Sequence, residues 1–136
     1  MLSHQAESAR LSYPARDPVH GMGVEMVYAA DSARTYLEIY AQQVPPYRGD
    51  EKEALVTLKT AHSTLRSPAH RHAGGQRILL TPEQHEFLLG ALLANIPVTI
   101  ELQGYSTTLQ PGPFAEQYAN LKNRPLTLPI QLPFKL

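Results

Sequence analysis

Alternating hydrophobic and polar positions predict a β-hairpin near the start of the chain. The runs VEMVYAA (residues 24–30) and RTYLEIYAQQV (34–44) are rich in β-branched and aromatic residues, as strands usually are. In the second run Leu37 and Ile39 alternate with polar neighbours such as Glu38. Because successive side chains of a strand point to opposite faces, this alternation places one face on a core.

Four further strands follow from the same kind of pattern. EALVTLKTAHSTL (53–65) and QRILL (76–80) predict strands three and four, with a loop containing a proline and Gly-Gly between them. VTIEL (98–102) and YSTTL (105–109) predict strands five and six. They flank Gln103 and a glycine, which can adopt the positive φ of a tight hairpin turn.

Two helices interrupt this series of strands. Thr81-Pro82-Glu83-Gln84 has the form of a capping box, so a helix is predicted from Pro82 to Asn95. Its apolar residues recur at helical spacing: Phe87, Leu88, Ala91, Leu92 and Ile96. Gly112-Pro113 predicts the start of a shorter helix, with an apolar face formed by Phe114, Tyr118 and Leu121.

The last twelve residues, 125–136, alternate strictly between apolar even positions and odd positions that include three prolines. Prolines at alternate positions remove N–H donors from one strand edge and leave the other edge able to pair. We expect a terminal edge strand that completes the core and whose prolines prevent edge-to-edge association. The alternative is an arm that adds to a sheet in another subunit or partner.

These elements predict an α+β fold with an antiparallel sheet of about six or seven strands. Their order is ββββαββα plus a C-terminal strand, and one main helix packs on a face. We expect a flexible N-terminal arm (1–23), a single domain (24–124) and a C-terminal edge strand or arm (125–136). The predicted core contains Leu37, Ile39, Val56, Leu58, Ile78, Leu80, Leu88, Leu92, Ile100 and Leu102.

The composition excludes several classes of function but does not identify one. A chain of 136 residues with 43% hydrophobic residues can build one ordinary core. Lys and Arg total 12, as do Asp and Glu, so no overall charge attracts nucleic acid or anionic membrane. The absence of cysteine excludes disulfides, thiolate nucleophiles and Cys-ligated zinc. We expect a soluble chain, since no stretch approaches the roughly 18 apolar residues of a membrane span.

The compartment stays open between the cytoplasm and the cell envelope, the latter for an exported protein whose signal has been removed. Residues 87–121, with a helix, VTIEL, GYSTTL and FAEQYANL, are similar to the end of small exported envelope proteins of the invasion-associated locus B type. The similarity lies in an apolar pattern with one glycine and two aromatic residues. It carries over no site residue, and the cysteines frequent in those proteins are missing here.

A locally basic segment holds the first group of candidate site residues. His70 and His72 share one face if HRH is extended, and an approach of His62 across a hairpin would complete a three-histidine metal site. Arg71 and Arg77 add positive charge, so an anion is a second candidate ligand. No carboxylate lies between residues 54 and 82 to orient the imidazoles, which favours solvent-facing histidines over a metal site.

Nucleic acid is a poor candidate partner for this segment. No aromatic residue occurs between Tyr47 and Phe87, so a platform for stacking bases is missing. The helix predicted from Pro82 to Asn95 has no Lys or Arg, unlike a recognition helix.

Tyrosines of the first hairpin form the second group of candidates. Tyr36 and Tyr40 lie on the same side of their strand, and Tyr28 could neighbour them across the hairpin. If the other face carries the core, these residues form an exposed aromatic patch suited to contacting proteins, glycans or small apolar ligands. The alternative is a second buried layer.

No motif defines a function. A Gly-x-Ser-x-Gly elbow, a P-loop and a Gly-x-Gly-x-x-Gly turn are all missing, so an enzyme is the less favoured class. The patterns favour a small non-enzymatic protein-binding or assembly module that acts through the tyrosine face or the C-terminal strand. The alternative is a metal- or anion-binding protein, or an enzyme, using residues 62–77. We expect the partner to be a protein, either another protein or a second copy of this chain, and we expect no cofactor.

Overall fold

The computed structural model of this chain describes residues 9–15, 21–29, 32–122 and 130–133. Within these ranges the chain forms nine strands and two helices. The elements are β1 (Ala9–Tyr13), β2 (Met22–Ala29), β3 (Ser32–Ile39), β4 (Glu53–Lys59), β5 (Thr64–Arg71), β6 (Arg77–Leu79), α1 (Pro82–Leu93), β7 (Val98–Leu102), β8 (Tyr105–Leu109), α2 (Phe114–Lys122) and β9 (Ile130–Pro133).

All nine strands belong to one sheet in the order β8-β7-β4-β5-β6-β3-β2-β1-β9. Every described neighbouring pair is antiparallel except β1 and β9, which are parallel. The sheet curls until it is nearly barrel-shaped. Tyr13 on β1 donates a hydrogen bond to the carbonyl of Gln110, which follows β8, over 3.2 Å. Tyr105 on β8 donates to Gln42 Oε1, after β3, over 3.1 Å.

The inner face of the curled sheet carries the core, and both helices contribute to it. All ten residues of the predicted core are buried there. The side chains of Leu88 and Leu92 on α1, and of Phe114 and Leu121 on α2, are also buried in this core. The helices therefore leave the opposite face of the central strands, which we call the outer face, without a covering helix.

The predicted capping box is present at the start of α1. Thr81 Oγ1 accepts from the backbone N–H of Gln84 over 3.1 Å, and Gln84 Oε1 accepts from the N–H of Thr81 over 2.8 Å. The side-chain amide nitrogen of Gln84, Nε2, also donates to Ser67 on β5. It reaches the Ser67 carbonyl over 3.0 Å and the Ser67 hydroxyl over 2.8 Å. One side chain thus begins the helix and fixes it to the sheet.

The predicted α+β class is confirmed, with more strands than the predicted six or seven. The run predicted as strand three divides into β4 and β5, because a turn at residues 60–63 reverses the chain. β5 continues through Pro68, where a loop was predicted. On β5 the residues described as pairing with β6 are His70 and Arg71, so a residue without an N–H is tolerated at Pro68.

The first additional strand, β1, lies within residues 1–23, where a flexible arm was predicted. Its five residues ARLSY are too few to show a period, yet Ala9, Leu11 and Tyr13 are buried and the residues between them are not. Alternation in burial, together with pairing to β2, makes this segment part of the sheet. Residues 1–8 and 16–20 of the predicted arm lie outside the described residues.

The C-terminal segment supplies the edge strand β9. Its residues Ile130–Pro133 pair in parallel with β1 of the same chain, from Ala9 to Ser12. This is the position of a terminal edge strand. Residues 125–129 and 134–136 of the predicted tail lie outside the described residues, including two of its three prolines. The division of the chain into arm, domain and tail stays a prediction.

Candidate binding face

Five of the candidate residues meet on the outer face around β3, β6 and β5. Because Leu37 and Ile39 point into the core, Tyr36 points outward. The strand register places Tyr36 beside Leu79, and Leu79 beside His70. The next row holds Arg77. His72 extends this row, since its N–H donates to the carbonyl of Arg77 over 2.9 Å.

Acidic residues of β2 and β3 complete this group. Glu25 lies opposite Tyr36, and Glu38 lies opposite Arg77. Tyr40 follows Glu38 on the same side of its strand. We call this set of side chains the outer-face cluster: Glu25, Tyr36, Glu38, Tyr40, His70, His72 and Arg77.

Arg77 occupies the centre of the outer-face cluster. Its guanidinium carbon lies 3.7 Å from the centroid of the Tyr36 ring, close enough for a cation–π contact. Its Nη2 is 3.4 Å from Glu25 Oε1, and its Nε is 3.7 Å from Glu38 Oε2. Arg10 Nη1 approaches the other oxygen of Glu25 at 3.4 Å. Two arginines therefore balance two carboxylates, and this part of the face is nearly neutral.

The two histidines continue the aromatic surface from Tyr36. The rings of Tyr36 and His72 are 5.9 Å apart, and those of His72 and His70 are 4.9 Å apart, both edge to face. Burial, followed by the nearby His70 and Arg77, lowers the pKa of His72 below its ordinary value. His72 is therefore neutral at neutral pH. Its buried Nε2 has no hydrogen-bond partner among the described residues.

The two tyrosines of the cluster differ sharply in exposure. Tyr36 is 9% exposed beneath Arg77, whereas Tyr40 is 51% exposed. Tyr40 lies over Gly23, where an added Cβ would sit 2.7 Å from its hydroxyl. Burial and the neighbouring Glu38 and Glu25 raise the pKa of Tyr40. The predicted aromatic patch therefore has one exposed tyrosine, while the other supports the arginine.

Arg71 and Tyr28 lie outside the outer-face cluster. Arg71 is buried on the inner side of β5, where its Nε donates to the carbonyl of Val44 over 2.8 Å. Its Nη1 donates to the carbonyl of Glu51 over 3.0 Å, so Arg71 ties the connection after β3 to the sheet. Tyr28 also faces inward, with its ring 5.5 Å from that of Tyr118.

His62 does not join the other two histidines. It lies in the turn before β5, whereas His70 lies near the far end of that strand. At about 3.3 Å per residue, this separates them by about 20 Å. Among the described residues, no three His, Asp or Glu side chains are grouped so that they could hold a metal ion.

A buried threonine and histidine form a pair that the sequence patterns did not single out. Thr35 Oγ1 and His85 Nδ1 are 2.6 Å apart, and the two residues are 0% and 6% exposed. Burial lowers the pKa of His85, although Glu86 opposes this effect. A hydroxyl beside an imidazole is the start of a nucleophile–base arrangement, but this pair is sealed in the core. Its position makes it a structural contact.

The sequence did contain signals for this pair. Thr35 is in phase with Leu37 and Ile39, so it must share their inward face. His85 stands three, four and seven positions before the buried leucines Leu88, Leu89 and Leu92, which puts it on the buried stripe of α1. A polar residue in phase with a core is expected to find a partner there.

Comparisons with known proteins add no family. No protein-family model matches the chain, and neither a curated protein nor a solved structure matches it. In the part of the chain that the structure describes, no helix has the length and apolar character needed to cross a membrane.

Proposed function

We propose that this chain is a small non-enzymatic binding module that contacts a partner protein through its outer-face cluster. The observation that carries the proposal is that the two faces of the sheet have different surroundings. Both helices and the core occupy the inner face. The cluster gathers aromatic and charged side chains on the face that neither α1 nor α2 covers.

The residue types and exposures of the cluster suit a protein interface. Tyrosine and arginine are enriched among the residues that contribute most to protein–protein binding. Tyr40 is 51% exposed, and the side chain of Arg77 is 41% exposed. Both are thus available to a partner.

The contacts within the cluster hold the Arg77 side chain in place before a partner arrives. The ring of Tyr36 and the carboxylates of Glu25 and Glu38 position the Arg77 guanidinium. Less conformational freedom is then lost on binding, which favours affinity. The near balance of charge favours a mixed protein surface over nucleic acid, which needs a net positive face.

The C-terminal strand is the weaker of the two predicted contact regions. β9 pairs with β1 of its own chain, so an edge of this segment already has a partner. We therefore assign the contact to the outer-face cluster and give β9 the role of an edge strand.

Site-specific photo-crosslinking in the native cell tests the proposal. A benzophenone amino acid is placed at Tyr40, at His70, and at the exposed Ala115 on α2 as a matched control. The proposal predicts one discrete protein adduct from positions 40 and 70 and none from 115. An adduct with the chain itself would identify self-assembly. A pattern that is the same at all three positions, or no adduct from 40 and 70, would contradict the proposal.

A further inference from the structure

A groove on the outer face lies over β4, β5 and β7, to one side of the outer-face cluster. Its volume is about 420 Å³, within the range of sites for small molecules. The lining residues that matter here are Pro45, Tyr47, Leu55, Thr57, Arg66 and Glu101.

One row of the sheet crosses the groove and carries both its charges. Thr57 on β4 lies opposite Arg66 on β5 and opposite Glu101 on β7. Neighbouring strands are about 4.8 Å apart, so the backbones at Arg66 and Glu101 are separated by about 10 Å. Space for a ligand therefore lies between an arginine and a glutamate, above the threonine.

The two charges are not equivalent. Glu101 Oε1 lies 3.1 Å from Nζ of Lys59, so its charge is largely balanced. Among the described residues, Arg66 has no carboxylate partner, and it is exposed. The guanidinium of Arg66 is therefore the available charge of the groove, and it can form two parallel hydrogen bonds to a carboxylate.

The remainder of the groove offers apolar contact. Leu55 lies beside Thr57 on the same face of β4, one row further along, and is partly exposed. Pro45 and Tyr47 also line the groove. The guanidinium of Arg48 lies 5.0 Å from the ring centroid of Tyr47, which adds positive charge on that side.

We propose that this groove binds a small monocarboxylate with an apolar body. The carboxylate binds the Arg66 guanidinium, with the Thr57 hydroxyl as a further donor. The apolar body lies against Leu55 and Tyr47. This site goes beyond the protein-binding role, since it uses a different part of the outer face and none of the outer-face cluster.

Amide NMR titrations of the whole protein test this site. Hexanoate and 4-phenylbutyrate are the probes, and hexanol and hexylammonium are the matched neutral and cationic compounds. We expect both carboxylates to shift the amide signals of Leu55, Thr57 and Arg66, and the neutral and cationic compounds to bind at least about tenfold more weakly, since they lack a charge-assisted bond to arginine.

Two variants separate the arginine from a general charge effect. Arg66→Gln should weaken hexanoate binding at least about tenfold. Arg34→Gln, which removes an exposed arginine from β3, should leave the affinity within about twofold. Glu101→Gln should tighten binding by about twofold, because it leaves the positive charge of Lys59 unbalanced near the ligand.

Several results would overturn the assignment. These are no shifts at saturating hexanoate, shifts that map elsewhere, or equal affinity in Arg66→Gln. A short acetylated peptide with a free C-terminal phenylalanine tests the other source of the same chemistry. If this peptide binds and the two small carboxylates do not, the groove recognises a chain terminus and the small-molecule assignment is wrong.

Discussion

The buried pair of Thr35 and His85 yields the sharpest prediction about stability. Thr35→Val keeps the shape of the side chain and removes the hydroxyl that meets His85 Nδ1 at 2.6 Å. With 0% and 6% exposure, neither residue can exchange this partner for water. An unsatisfied buried polar group costs about 1–3 kcal/mol. For a domain of this size, the melting temperature should fall by about 4–12 °C.

Differential scanning calorimetry with a matched variant measures this effect. Thr99→Val removes a hydroxyl that is 2.9 Å from Thr108 Oγ1 on the exposed face of β7 and β8. Water can replace that contact, so the free energy of unfolding should change by less than about 0.5 kcal/mol.

A double variant isolates the energy of the pair. In Thr35→Val/His85→Leu both partners are apolar, so no buried polar group is left without a partner. Thr35→Val should therefore lower the free energy of unfolding less in the His85→Leu protein than in the wild-type protein. If Thr35→Val is no more destabilising than Thr99→Val, the pair contributes nothing to stability and its assignment as a structural contact is wrong.

Three other outcomes are expected. Burial lowers the pKa of His85 and His72 below their ordinary 6.5, so below that pH the unfolded chain binds protons that the folded chain does not. Urea unfolding should therefore show stability that falls as the pH is lowered through 6.5, with a shallower slope in His85→Leu; a flat profile would contradict the burial of these rings. Deleting residues 125–136 should lower the melting temperature and leave the oligomeric state unchanged, as measured by the solution mass in light scattering. If a full-length oligomer instead becomes a folded monomer on truncation, the tail is an assembly strand. Gly23→Ala should displace the Tyr40 ring, seen as shifted tyrosine ring signals in NMR, with little loss of stability because the side chain can swing outward; unchanged signals would refute the close approach.

Elements with a complete local signal were predictable from the sequence. The Thr81 capping box and its proline marked the start of α1, and the structure has the helix there. Alternation in β3, β4 and β7 identified inward residues such as Leu37, Val56 and Ile100. The alternation of a strand and the cap of a helix are both encoded by consecutive residues, so these elements can be predicted without knowing any distant contact.

Elements that depend on distant partners were missed. β5 contains Pro68 and several polar residues, so its strand character comes from its neighbours β4 and β6. β1 has five residues and gains its role from pairing with β2 and β9. Tertiary context decides strand formation in such short or mixed segments.

The same contrast between local and long-range signals applies to the candidate site. The sequence indicated that Tyr36 and Tyr40 share a face and that His70 and His72 share a face. It could not show that β6 lies between these strands and brings both pairs together around Arg77. Strand order is set by long-range pairing, which no local pattern encodes.

The affinity of the crosslinked partner for purified variants tests the central claim most directly. Isothermal titration calorimetry would compare the wild-type chain with Tyr40→Ala, Arg77→Gln and Lys122→Gln, the last removing an exposed charge on α2. Binding through the outer-face cluster predicts that Tyr40→Ala and Arg77→Gln each weaken affinity at least about tenfold, while Lys122→Gln stays within about twofold. Equal affinities for all four proteins would show that the partner binds elsewhere.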